Sequence, residues 1–189
     1  EFLNLEGDKI STSRNHAIWL NEYLEDFPNR QDELRYVLNS IAPETKDSDF
    51  TWKDYQARVN NELCSILGNF VNRVLVLSHK YFEGKIQSYD LSNPKDLELL
   101  VEVKAYQKNI DKLVSEFKFR EAQFELIAIA RAGNKYITDQ EPWHLIKTDE
   151  KRVGEILHTC LLLTHAFAVS AIPFLPFTSQ KLFYFLNTN

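Results

Sequence analysis

The chain has 189 residues, of which 44% are hydrophobic, 13% are aromatic and only five are glycine. This composition is typical of one folded domain, or of one domain with a small appendage, and argues against a disordered chain. The 22 lysine and arginine residues stand against 27 aspartate and glutamate residues, a net charge of -5, so a general nucleic-acid coat protein is excluded and any nucleic-acid contact should be local and base-reading.

The first part of the chain predicts two short helices and one strand. Residues 13–27 have apolar positions at helical spacing and are followed by Pro28, which predicts a helix that ends before the proline. Residues 32–41 repeat apolar residues every three or four positions, which predicts a second helix. Residues 50–52 predict a very short strand.

Longer helices are predicted in the rest of the chain. Apolar residues at helical spacing predict one helix over 52–79 and another over 95–132, which Gly133 is expected to end. Two further apolar segments predict helices over 150–171 and 173–186. The predicted fold class is therefore all-α, a bundle of four or five helices with a small element at its N-terminal end.

Three hydroxyl and two cationic side chains stand together in KISTSR, residues 9–14. One explanation is a helix cap, because Ser11, Thr12 or Ser13 can accept a hydrogen bond from a free backbone N–H at a helix start. Another is a loop in which Lys9 and the hydroxyls bind a polyphosphate whose charge grows on a leaving pyrophosphate. The residues alone leave both explanations open.

Two further sets of residues have the chemistry to read a nucleobase. Asn69 and Arg73 lie four apart on a predicted helix, so they share a face and can present an amide and a guanidinium to a base edge. They can equally form a polar contact between helices. Trp143 follows Pro142, which favours the first turn of a helix, so its indole can stack on a base or be buried in the core.

Five short motifs occur in order along the chain. They are KISTS (9–13), LRYVL (34–38), FTWKDYQARVNNEL (50–63), LGNFVNR (67–73) and EPW (141–143). The first resembles the KMSKS signature of class I aminoacyl-tRNA synthetases, and the whole order resembles methionyl-tRNA synthetase. The resemblance covers essentially the whole chain and runs from the signature loop through the anticodon-binding helices.

The resemblance implies a catalytic role for the first motif. Lys9, Ser11, Thr12 and Ser13 are implied to form the KMSKS-like loop that contacts ATP and pyrophosphate. Thr12 stands where the signature has its second lysine, which removes one positive charge. A hydroxyl hydrogen bond or Mg²⁺ can supply the missing stabilisation.

The resemblance also implies the anticodon-binding residues. Asn69 and Arg73 are implied to hydrogen-bond to the first base of the CAU anticodon of methionine tRNA, a cytosine. Trp143 of the Pro142 and Trp143 pair is implied to stack on that base.

The resemblance further implies a division of the protein. Residues 1–50 are expected to form the KMSKS-like loop and a stem-contact element, and residues 51–189 the anticodon-binding helical bundle. The full-length enzyme is expected to activate methionine with ATP and Mg²⁺ and to transfer it to tRNA. Nothing in this sequence resembles the upstream catalytic domain with its HIGH signature, its methionine pocket and its zinc-bearing insertion, so the fragment alone is expected to be inactive, with any zinc outside it.

The expected partners are methionine tRNA and the upstream catalytic domain of the same chain, without a membrane or DNA partner, in the cytoplasm. Cys64 and Cys160 lack zinc-ligand spacing, so two buried thiols and no metal site are predicted. Two alternatives stay open. One is a helical interaction module without tRNA binding, in which Trp143 is buried. The other is the equivalent part of another class I synthetase, such as that for cysteine or leucine.

Overall fold

The computed structural model of the protein describes residues 1–188. Its front element, residues 1–50, contains a sheet of three strands in the order β2-β1-β3, namely β1 (Leu3–Leu5), β2 (Asp8–Lys9) and β3 (Ser48–Phe50). β1 is antiparallel to β2 and parallel to β3, with Leu3 opposite Ser48. β3 lies slightly before the strand predicted at 50–52, and its pairing with β1 joins the two ends of the front element.

Two short helices, α1 (Leu20–Asp26) and α2 (Gln31–Ser40), complete the front element. α2 confirms the second predicted helix, whereas the first begins at Leu20 rather than at Ser13. The reason is a closed turn, in which Ser11 and His16 exchange two backbone hydrogen bonds of 2.9 Å. Within residues 1–188 the predicted hydroxyl cap of α1 is absent, because its N-cap is Trp19.

A continuous helical segment confirms the helix predicted over residues 52–79. It consists of α3 (Trp52–Arg58), a π-helical stretch (Val59–Gly68) and α4 (Asn69–Phe82). Thr51 caps its start, since the Thr51 hydroxyl accepts a hydrogen bond from the Asp54 backbone N–H at 3.0 Å. The π-helical stretch has more residues per turn than an α-helix, so the apolar face rotates there, and Val59 and Leu67 are its buried residues.

The single helix predicted over residues 95–132 is wrong, because two helices occupy that region. α5 (Pro94–Ser115) and α6 (Phe119–Gln140) are joined by a tight turn in which Phe117 has a left-handed backbone conformation, with φ of 59°. Phe117 is 76% exposed and Phe124 is 71% exposed, although both are among the apolar residues whose helical spacing predicted a single helix over 95–132. Apolar periodicity continues through the turn, so it does not reveal the break.

α6 continues through Gly133, where the sequence predicted its end. Gly133 is buried, and a Cβ atom at this position would overlap the ring of Phe70 on α4. A residue without a side chain therefore lets α4 and α6 approach closely. This close approach brings the start of α4 beside the last turns of α6.

Three helices complete the bundle, namely α7 (Pro142–Leu145), α8 (Glu150–Ala171) and α9 (Pro176–Leu186). α8 packs against α4, α5, α6 and α9. It is long and apolar enough to cross a membrane by length and composition alone, but 56% of its apolar window is buried inside the protein, which is typical of a core helix. The helical bundle confirms the predicted fold class, although the last helix begins at Pro176 rather than at position 173.

The two cysteines lie in different environments. Cys160 is buried on α8, whereas Cys64 is exposed on the π-helical stretch, so the prediction of two buried thiols is wrong for Cys64. Burial raises the pKa of the Cys160 thiol. In the part of the chain that the structure describes, no group of three His, Cys, Asp or Glu side chains is arranged to hold a metal ion.

Candidate functional site

The first set of candidate residues lies in the front loop, which we define as residues 9–16. The Asn15 backbone N–H donates a hydrogen bond to the Thr12 carbonyl at 3.1 Å, and Asn15 has a φ of 52°, a conformation that Asn tolerates. Nε2 of His16 donates to the Leu5 carbonyl at 2.9 Å, which ties the loop to β1. The backbone and His16 therefore hold the loop.

The candidate side chains of the front loop lie at the protein surface. Lys9, Thr12 and Ser13 are exposed, and Ser11 is half-buried. The Oγ atoms of Ser11 and Ser13 are 3.2 Å apart, and Nζ of Lys9 lies 5.9 Å from the centroid of the Phe2 ring. The structure thus brings the Ser11 and Ser13 hydroxyls together and leaves the Lys9 ammonium group accessible to an anionic ligand.

The second set of candidate residues lies where α4 meets α6. Asn69 and Arg73 share a face of α4, as predicted. Nδ2 of Asn69 donates to Oδ1 of Asn134 at 2.9 Å, and Nη1 of Arg73 donates to Oγ1 of Thr138 at 3.1 Å and to the Asn134 carbonyl at 3.4 Å. Nδ2 of Asn134 in turn donates to the Ile66 carbonyl at 2.8 Å. These bonds fix the orientation of both candidate side chains.

Trp143 lies next to Arg73 at the corner between α6 and α7. Glu141 has a left-handed backbone with φ of 45°, and Pro142 starts α7 and is buried. The guanidinium carbon of Arg73 lies 5.5 Å from the centroid of the Trp143 ring, a cation–π contact worth about 0.5–1 kcal/mol at an exposed site. Trp143 is half-buried, whereas the interaction-module alternative predicted a buried indole.

Asn69 and Arg73 line a shallow cavity of about 430 Å³, which we call the polar pocket. Its lining consists of Ser65, Ile66, Asn69, Arg73, Arg131, Asn134, Lys135, Thr138 and Asp139. Three of these side chains are cationic and one is anionic, although the chain as a whole carries a charge of -5. Within the described residues Arg73 donates through Nη1, which leaves Nε and Nη2 for a ligand.

Asn69 and Arg73 are the only lining residues of the polar pocket that the sequence predicted, and two of the others, Asn134 and Thr138, bind them directly. Because α6 was predicted to end at Gly133, these residues were assigned to a loop. Their spacing of four on a continuing helix is the signal that would have placed them on one face.

Comparisons with known proteins identify the family. Residues 1–75 match the family described as tRNA synthetases class I (M), and residues 90–189 match the anticodon binding domain of methionyl tRNA ligase. The methionine–tRNA ligase of Bacteroides fragilis (strain YCH46) is 58% identical over 187 residues, covering 99% of this chain and 28% of that protein. The methionine–tRNA ligase of Christiangramia forsetii is 56% identical over 187 residues, covering 99% of this chain and 27% of that protein.

A solved structure agrees in fold. Mycobacterium tuberculosis methionyl-tRNA synthetase in complex with methionyl-adenylate aligns with 96% of this chain and 36% of its own chain, with a TM-score of 0.86 and 23% identity. This chain spans about 28% of the length of the curated relatives it matches. The methionine family matches over more than half of the chain, which favours it over the cysteine and leucine alternatives. The chain therefore belongs to the methionyl-tRNA ligase family, with residues 90–189 in its anticodon-binding domain.

Proposed function

We propose that this chain reads the anticodon of methionine tRNA as part of a methionine–tRNA ligase. Asn69 and Arg73 hydrogen-bond to the first base of the CAU anticodon, a cytosine, and Trp143, at the corner formed by Pro142, stacks on that base. The observation that supports this most is the distance of 5.5 Å between the Arg73 guanidinium carbon and the Trp143 ring centroid. Hydrogen-bonding and stacking groups therefore lie together at one accessible site.

The polar groups of Asn69 and Arg73 match the hydrogen-bonding edge of a cytosine that is unstacked from its neighbours in the anticodon loop. Its exposed edge carries one amine donor and two acceptors, N3 and O2. Because Nδ2 of Asn69 is bound to Asn134, Oδ1 of Asn69 is oriented to accept from the cytosine amine, while Nε and Nη2 of Arg73 donate to its acceptors. Uracil has a carbonyl in place of that amine, so it leaves the Asn69 oxygen without a donor and binds more weakly.

The front loop contacts ATP in the full-length enzyme under the same proposal. Lys9, Ser11, Thr12 and Ser13 fit a polyphosphate because they place an ammonium group and hydroxyls on a loop whose backbone is held. ATP supplies the phosphoanhydride that is broken when methionine is activated. Thr12 contributes a hydroxyl where the signature has a lysine, and Mg²⁺ bound with ATP compensates the missing charge.

The full-length enzyme joins methionine to ATP, giving methionyl-adenylate and pyrophosphate, and then transfers methionine to the 3′ end of its tRNA. In this proposal residues 1–50 carry the loop and contact the tRNA stem, and residues 51–189 form the anticodon-binding bundle. The catalytic domain and any zinc belong to the remaining length of the relatives. The expected location is the cytoplasm, and this chain alone does not form the adenylate.

The proposal is tested by titrating the chain with a CAU anticodon stem-loop. The Trp143→Ala variant should raise the dissociation constant about 5- to 150-fold, because stacking on an aromatic side chain contributes about 1–3 kcal/mol per base. Trp19→Ala is the matched control, since Trp19 lies after the front loop and bonds to Asn15 at 3.1 Å. It should leave the affinity unchanged.

A second series varies the first anticodon base in the stem-loop. The wild-type chain should bind the cytosine form more tightly than the adenine, guanine and uracil forms. Equal affinity for the four RNAs, or an unchanged dissociation constant in Trp143→Ala, would refute the proposed base-reading role.

A further inference from the structure

Asp96 and Arg152 form a buried ion pair that is hydrogen-bonded to Gln140, just before the corner that carries Trp143. The Asp96 carboxylate, in the first turn of α5, is 0% exposed. It accepts two hydrogen bonds of 2.6 Å from the Arg152 guanidinium on α8, one to each carboxylate oxygen. Tyr136 on α6 donates its hydroxyl to the same carboxylate. Three helices are thus joined at one buried carboxylate.

The same guanidinium also binds the last residue of α6. Nη2 of Arg152 donates to Oε1 of Gln140 at 3.0 Å, and Nη1 donates to Oε2 of Glu155 at 3.1 Å. Burial, followed by the hydrogen bond to Asp96, raises the pKa of the Tyr136 hydroxyl, and the bond to Asp96 raises the pKa of Arg152. Tyr136 and Arg152 therefore keep their protons, and act as donors, across the neutral pH range.

Stability alone does not account for this network. A buried ion pair is often no more stabilising than apolar side chains of similar volume, because both charges lose their hydration. Arg152 also lies in the first turn of α8, where the helix dipole disfavours a positive charge. A bidentate pair between a guanidinium and a carboxylate does fix distances and angles between the elements that carry it.

The corner transmits this constraint over very few residues. Gln140 is held by Arg152, and the next residue, Glu141, has a left-handed backbone with φ of 45°. Pro142 follows, buried and restricted in φ by its ring. Trp143 is next along the chain. The direction in which the indole leaves the corner is therefore set by the position of Gln140.

We infer that Arg152, with Asp96 and Tyr136, forms a positioning network that holds the Trp143 indole against Arg73 and so sets the affinity for the anticodon base. The network acts through Trp143 and does not touch the RNA. This inference rests on the proposed function of the polar pocket.

The experiment follows Trp143 directly by its fluorescence. The chain has three tryptophans, so a Trp19→Phe and Trp52→Phe background leaves Trp143 as the single emitter. Arg152→Lys keeps the charge but removes the fork, and Tyr136→Phe removes one hydroxyl and keeps the ring. Each variant is measured for acrylamide quenching of Trp143 and for its affinity for the CAU stem-loop.

Both variants should increase quenching of Trp143 and weaken stem-loop binding. The dissociation constant should rise about tenfold in Arg152→Lys, within the range of stacking on one aromatic ring, and about threefold in Tyr136→Phe, the scale of one hydrogen bond. Thr164→Val is the matched control, since it removes a buried hydroxyl that donates to the Cys160 carbonyl on the same helix. It should change neither measurement.

Wild-type quenching and wild-type affinity in Tyr136→Phe would overturn the inference, and this variant decides alone if circular dichroism shows that Arg152→Lys is unfolded. Weaker binding without a change in Trp143 quenching would also overturn it, as would an equal response in Thr164→Val. A failure of the proposed function looks different. In that case the unmodified chain does not distinguish the four stem-loops, while the quenching data still report whether the network positions the indole.

Discussion

The front loop and the polar pocket differ in where their side chains find partners. In the polar pocket Asn69 and Arg73 are bound to side chains of α6. Arg152 donates a hydrogen bond to Gln140 at the end of α6, just before the corner that carries Trp143. In the front loop the backbone is held, but Lys9 and Thr12 extend into solvent. A preorganised pocket loses less conformational entropy on binding, so a ligand of the polar pocket meets side chains that are already held in place, whereas a ligand of the front loop would have to order them.

The largest effect on stability is expected when the buried Asp96 carboxylate, next to the preorganised polar pocket, is removed. In Asp96→Ala, Arg152 loses its bidentate partner and keeps only the Glu155 carboxylate as a counter-ion, so the expected loss in free energy of unfolding is about 3 kcal/mol, the lower end of the range for breaking a buried ion pair. Urea denaturation followed by circular dichroism measures it. Asp139→Ala is the control, because Asp139 is exposed on the same end of α6, and it should stay within about 0.5 kcal/mol of wild type. A loss below about 1 kcal/mol in Asp96→Ala would contradict the prediction.

A smaller effect on stability is expected when the close approach of α4 and α6, which forms the polar pocket, is disturbed. Gly133→Ala places a methyl group in the space of the Phe70 ring, and such overpacking should lower the free energy of unfolding by about 1–3 kcal/mol. The variant should also weaken stem-loop binding, since separation of the helices moves Asn69 from Asn134. In a Phe70→Leu background the cost of Gly133→Ala should be smaller, because the smaller side chain leaves room. An equal cost in both backgrounds would place the strain elsewhere.

The fold could be predicted from the sequence where one local signal dominates. Pro142 before Trp143 marks a helix start, and the structure has a helix there. The turn at Phe117 could not be predicted, since a left-handed residue in that turn interrupts no apolar repeat. The helix end predicted at Gly133 is wrong for a related reason. A glycine ends some helices and permits close helix packing in others, and only the ring of Phe70, distant in sequence, decides between the two.

The candidate pocket was predictable only in part for the same reason. Asn69 and Arg73 share a face by their spacing alone, so a local rule was sufficient to pair them. Their partners Asn134 and Thr138 are separated from them by more than sixty residues in the chain. The ion pair of Asp96 with Arg152 joins residues 56 apart, and no periodicity indicates which of the many charged residues is buried.

The smallest effect is expected in the front loop. Alanine at Ser11, Thr12 and Ser13 together should change the free energy of unfolding by no more than about 0.5 kcal/mol, because the turn is closed by backbone bonds and those side chains lie mainly at the surface. Affinity for the CAU stem-loop should also be unchanged, measured in the same titration as for Trp143→Ala. Asn15→Val tests whether the backbone conformation holds the front loop. A β-branched residue at a φ of 52° is strained, so this variant should destabilise the chain by about 1–2 kcal/mol. Weaker stem-loop binding by the triple variant would mean that the hydroxyls contact the RNA. The front loop, and not the polar pocket alone, would then contribute to RNA binding.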